Sequence, residues 1–90
     1  MHKPDKPLVK IIWKDAIYRS KIQATPEKAI QKGNLITVTQ SGFLLGKDDD
    51  KVLLGWQHDD LSGQYRHILS IPHQAVIKII ELKEDVTIDL

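Results

Sequence analysis

Cysteine is absent from this sequence. That excludes disulfides, thiol nucleophiles, zinc fingers and iron–sulfur clusters, and it suits a reducing compartment, so a cytoplasmic location is expected. Aromatic residues are few: two Trp, two Tyr and one Phe among 90 residues. No apolar run approaches the roughly 20 residues of a membrane span, so no membrane association is expected. Five glycines and four prolines are too few for collagen or low-complexity disorder. No glycine-rich phosphate loop precedes a helix, and Ser41, Ser62 and Ser70 lack the context of a nucleophile elbow. The opening stretch Met1–Pro7 is charged and punctuated by proline, which predicts no secretory leader. Neither an enzyme nor a cofactor is expected.

What is present fits one small domain with one core. The net charge of +1 conceals an uneven distribution. Residues 1–32 carry eight Lys or Arg against three acids, and residues 33–90 carry five against nine. A basic third joined to an acidic remainder can bind a polyanion or another copy, or simply be solvated.

Along the chain, residues 1–7 read as a flexible arm, residues 8–82 as a single barrel, and residues 83–90 as a tail with the makings of an extra edge strand. Val9, Ile11 and Trp13 share one face of a first strand. Asp15–Ala24 is a long connection whose Ile17 and Tyr18 are expected to tuck beneath the barrel. Thr25-Pro26-Glu27 opens a short helix, about residues 26–32, that Gly33 ends, and Ile30 is expected to dock it on the sheet. Four strands follow. Leu35–Leu45 has a bend predicted at Ser41-Gly42, and Lys51–His58 places Val52, Leu54 and Trp56 on one face. Tyr65–Ile71 places Tyr65, His67, Leu69 and Ile71 together. After a 3₁₀ turn at Pro72-His73-Gln74, Ala75–Leu82 is apolar on both faces and is expected to be central. The predicted fold is mainly β: a five-stranded, strongly bent antiparallel barrel with one short helix between its first two strands.

The stretch Gly42–Leu54 resembles the first motif of Sm and Sm-like proteins, with Gly42, Leu44, Gly46, Asp48 and Leu53 in register. Val52 stands where that motif has its base-reading Asn. Ile71, Gln74 and Val76 match the second motif, where Pro72-His73 replaces Arg-Gly. A competing register makes Tyr65-Arg66-His67-Ile68-Leu69-Ser70 similar to a segment of the bacterial Sm-like RNA chaperone. An SH3-like barrel also accommodates a helix in the first long loop, with Ile-Pro before a 3₁₀ turn. The whole chain resembles small phage or bacterial barrel proteins of unknown function, with Trp13-Lys14-Asp15 as the opening. The Sm-like resemblance implies a homo-oligomeric ring, with neighbours completing the sheet edge to edge, and weak RNA binding. It would bring Lys47 and Lys51 of one turn beside His73 and Gln74 of another as the nucleic-acid-binding residues. The SH3-like alternative implies a non-catalytic adaptor, of phage type, that binds a protein or sequesters a small ligand.

Two further groupings carry chemistry on paper. Asp48-Asp49-Asp50 lacks the alternating spacing and distal Glu of a calcium loop, and reads as a solvated turn. His58, His67 and His73 with Asp59 and Asp60 have no metal-ligand spacing, so no metal is expected. His67 reads as a core candidate, and Trp13 and Trp56 read as core residues.

Overall fold

Strand β1 (Leu8–Asp15) buries every second residue, Val9, Ile11 and Trp13, because successive side chains of an extended strand point to opposite faces. The computed structural model describes all residues except 17–24, 33–34, 84–86 and 90. After β1 come helix α1 (Pro26–Lys32), β2 (Ile36–Lys47), β3 (Lys51–Asp59), β4 (Gln64–Pro72), the 3₁₀ turn η1 (His73–Ala75) and β5 (Val76–Glu81). The strands form one antiparallel sheet in the order β4-β3-β2-β1-β5. Among the described residues no β4–β5 ladder closes it, so both strands are edges there.

The core is Val9, Ile11 and Trp13 from β1, Val52 and Leu54 from β3, and Ile71 from β4. Strands β1 and β4 lie three places apart in the sheet, about 14 Å at the usual interstrand spacing. One cluster containing both requires the sheet to bend over its inner face. Gly42 sits inside that bend. A Cβ there would stand 2.7 Å from Leu54 Cγ and 2.9 Å from the Gly55 carbonyl oxygen, so only glycine fits without displacing backbone. Strand β2 pairs with β1 without interruption through Ser41-Gly42, where the sequence predicts a bend or bulge. Its irregularity falls between Leu44 and Gly46, where Leu45 is the extra residue.

Four expectations are corrected. Strand β5 is an edge rather than central: its apolar residues on both faces reflect half-burial of Ile79 and Ile80 against β1, while Ile77, skipped by a bulge, is 53% exposed. Ile30 is 82% exposed instead of docked. Trp56 is half-exposed, because the inner face of β3 runs on beyond the core, and its ring lies 6.0 Å from that of His67. His67 is exposed and has φ 56°, a left-handed conformation rare for a non-glycine residue. Through it the alternation of β4 changes hands. Leu69 and Ile71 face the core, whereas Tyr65 packs edge-on to Phe43 on the opposite face.

The expectations for Ile17, Tyr18 and Gly33 lie outside the described residues. Residues 87–89 of the tail form no strand within the chain, and Ile88 is exposed.

Candidate nucleic-acid interface

The turn between β2 and β3 is built around Asp48. One carboxylate oxygen accepts the backbone N–H groups of Asp50 and Lys51, both at 2.8 Å, and the other meets the Lys51 ammonium at 2.9 Å. The Lys51 ammonium and these amides hold the Asp48 carboxyl down to about 2, well below its ordinary 3.8. Across the way, η1 is pinned to the same turn. The His73 backbone N–H donates to the Asp50 carbonyl at 2.9 Å, and His73 Nδ1 donates to the Asp48 carbonyl at 2.8 Å. A carbonyl only accepts, so Nδ1 carries the proton, and in the neutral ring Nε2 is left as an acceptor. Lys51 also pairs with Pro72 across β3 and β4.

Lys51 and His73 therefore come together as one body, with Gln74 following in η1 and Lys47 at the end of β2. The hollow beside them, lined by Gly46, Lys47, Asp48, Lys51 and Leu53, measures about 100 Å³. That is well under the roughly 300 Å³ at which ligand pockets begin. Electrostatically the cluster sets two lysines against Asp48, Asp49 and Asp50. Lys51 is committed to Asp48, and His73 is held by its own turn. The groups left to meet a ligand are the Lys47 ammonium, the Gln74 amide and His73 Nε2.

His58, His67 and His73 do not gather. His58 is at the β3–β4 end, His67 stands against Trp56, and His73 is on η1, and no metal-binding group of three occurs among the described residues. His58 instead belongs to an aromatic cluster with Tyr65 and Phe43 that the periodicity does not reveal. Its ring lies 4.8 Å from Tyr65, which is 5.4 Å from Phe43, and Nδ1 meets Asp60 Oδ1 at 2.7 Å.

Residues 1–7 run across this cluster without regular secondary structure. The Tyr65 hydroxyl donates to Asp5 Oδ1 at 2.9 Å and accepts from the Asp5 and Lys6 amides at 3.2 Å, and the His2 amide donates to the Asp60 carbonyl. The hydroxyl lowers the Asp5 carboxyl from its ordinary value. Beneath the segment is a cavity of about 440 Å³ bordered by Lys3, Lys6, Leu8, Phe43, Glu81 and Leu82.

The outer face of β5, β1 and β2 carries a third grouping. Lys10, Ile12 and Lys14 of β1 stand opposite Ser41, Thr39 and Thr37 of β2, and Lys78 of β5 stands opposite Ile12. The signal for it lay in the sequence as Lys10-Ile-Ile-Trp-Lys14 and Thr37-Val-Thr39-Gln-Ser41, but only the strand register joins them.

Comparison with known proteins finds no matching family model, curated protein or solved structure.

Proposed function

We propose that this chain is a small SH3-type, Sm-like barrel that assembles with copies of itself and binds RNA weakly, without catalysis. The observation that carries the reading is the pair of open edges. Among the described residues, strands β4 and β5 each lack a partner on one side, they bound the same sheet, and the three residues of η1 join them. Unpaired edges present free N–H and C=O groups that another chain can satisfy. In a head-to-tail arrangement, β4 of one copy meets β5 of the next, and such contacts close into a ring when the rotation permits. Ile68 on β4 and Ile77 on β5, 51% and 53% exposed, supply apolar surface beside these edges.

The RNA reading is supported by the meeting of Lys51 with His73, flanked by Lys47 and Gln74, and the neighbouring aspartates make that contact weak. A cytoplasmic location is part of the proposal; no helix among the described residues is long and apolar enough to cross a membrane.

One observation favours the second reading, a monomeric SH3-like module that sequesters a small ligand. The cavity under residues 1–7 has an apolar floor of Leu8, Phe43 and Leu82, lysines at its rim, and a volume in the range of ligand sites.

Size-exclusion chromatography with light scattering, recorded at 260 and 280 nm, separates these readings. A particle several times 10.3 kDa with excess absorbance at 260 nm that RNase removes is the expected result. A particle of that size without the excess retains assembly and removes the RNA. A monomer overturns assembly and leaves the small-ligand module.

A further inference from the structure

The lysines of the outer sheet face stand apart from those of the turn cluster in one respect. Among the described residues, Lys10, Lys14 and Lys78 have no carboxylate within ion-pair distance; the salt bridges there involve Lys51, His58 and Arg66. The strand register explains why. The nearest acids along the chain, Asp15 in β1 and Glu81 in β5, fall on the opposite alternation, with Glu81 paired to Val9 and Asp15 to Ile36. What shares the face with the lysines is a column of exposed hydroxyls, Thr37, Thr39 and Ser41.

From these placements we infer that the outer face of β5, β1 and β2 is a binding surface for the phosphate backbone of duplex DNA. Lys10 and Lys14 are four residues apart on one strand, about 14 Å at the usual rise. Lys78 lies on the next strand, level with the midpoint between them. A row of that length spans about four phosphates of one DNA strand, which rises about 3.4 Å per phosphate. Lysine ammoniums act as point charges toward phosphate, and hydroxyls donate to the same oxygens, so the donor set matches a phosphodiester backbone. Carboxylate partners favour the planar fork of arginine, and none of the three strands contributes an arginine to this face.

The choice of duplex over single strand follows from what surrounds the lysines. Single strands are held by aromatic platforms on which unstacked bases lie. The residues alternating with Lys10, Lys14 and Lys78 on this stretch are Ile12 and Ile80, half-buried, and the three hydroxyl residues. The aromatics nearby offer no open platform: Trp13 is in the core, and Phe43, which follows Ser41 on the same alternation opposite Leu8, is half-buried and packed edge-on to Tyr65. A duplex keeps its bases stacked inside and offers only backbone, which is all this surface can engage. Binding is therefore independent of sequence and steeply salt-dependent.

The test is fluorescence anisotropy of the full chain with a labelled DNA duplex, the matching single-stranded DNA, and a uridine-rich RNA. Three neutralised phosphates give a salt slope near −2.7, or a loss of about 40-fold between 50 and 200 mM salt. Lys10→Gln/Lys14→Gln/Lys78→Gln is expected to abolish duplex binding at 50 mM salt, and Lys47→Gln/Lys51→Gln to leave it unchanged. Thr39→Asp places one carboxylate in the middle of the row and is expected to weaken binding at least about tenfold, an independent variant should the triple one unfold. The inference is overturned if the wild type does not bind duplex at 50 mM salt, if the folded variants bind it like wild type, or if single-stranded DNA competes better than duplex. Duplex binding lost in the Lys47/Lys51 variant and retained in the triple variant would overturn the sheet face, whereas RNA binding retained in the Lys47/Lys51 variant would overturn only the turn cluster, so the two readings fail separately.

Discussion

Two groups of lysines on this molecule meet very different surroundings. In the β2–β3 turn, Lys51 is tied to Asp48 at 2.9 Å, and two more aspartates adjoin it. On the sheet face, Lys10, Lys14 and Lys78 come from two strands whose acids point the other way. Nearness in sequence gathered opposite charges in the turn, while strand pairing gathered like charges and hydroxyls from distant positions. A local charge count therefore does not show which lysines lack an acid partner. The field that a polyanion meets is set by which alternation each residue occupies.

The largest effect should come from breaking what both regions share. Leu54 is fully buried at the junction of β2, β3 and β4, beside Gly42. Leu54→Ala is expected to cost about 2–5 kcal/mol, measured by urea denaturation, and to weaken both regions together. Retention of full stability would mean that the sheet does not bend around this residue.

Next in size is a contrast along β5. Ile79 packs against the core and Ile77 does not. Ile79→Asp should unfold the chain. Ile77→Asp should keep its circular dichroism spectrum and lower the particle mass in light scattering. If both unfold, the exposed bulge is structural and contributes no assembly surface.

A smaller effect sharpens the account of the turn. The Asp48 carboxyl is lowered to about 2 in the folded chain from 3.8. Its contribution to stability is therefore present above about pH 4 and is lost as pH falls toward 2. Asp48→Asn keeps an oxygen for the amides but removes the titration, so the melting temperature of the variant should change less than that of wild type across this window. An equal fall in both would assign the acid sensitivity elsewhere. Least of all, Lys47→Gln should leave stability unchanged, since its side chain is exposed and surface charges contribute little.

Much of the fold was legible in the sequence for a simple reason. Where burial alternates with period two, as at Val9-Ile11-Trp13 and Val52-Leu54, strand and face follow directly. The turn at Asp48–Asp50 and the 3₁₀ turn after Ile71-Pro72 were legible from their turn chemistry, although Pro72 ends β4 and η1 begins at His73. Two of the misses share a cause, because alternation cannot register an interruption. The left-handed His67 transferred Tyr65 to the other face, and the bulge at Ile77 left an apolar residue in solvent on an edge strand. Trp56 has the spacing of a core residue but lies beyond the end of the core. At the candidate site, the sequence brought Lys51 and His73 together only through resemblance. It gave no sign that Asp48 occupies the one and that the carbonyls of the turn occupy the other.

Pairing of β4 with β5 between copies is tested most directly by amide hydrogen exchange as a function of protein concentration. On assembly, the outward amides of Val76–Glu81 and of Gln64–Ser70 should become protected together as concentration rises, while β2 amides stay unchanged. Fast exchange along both edges at every concentration, with β1 and β2 protected throughout, would contradict edge-to-edge assembly.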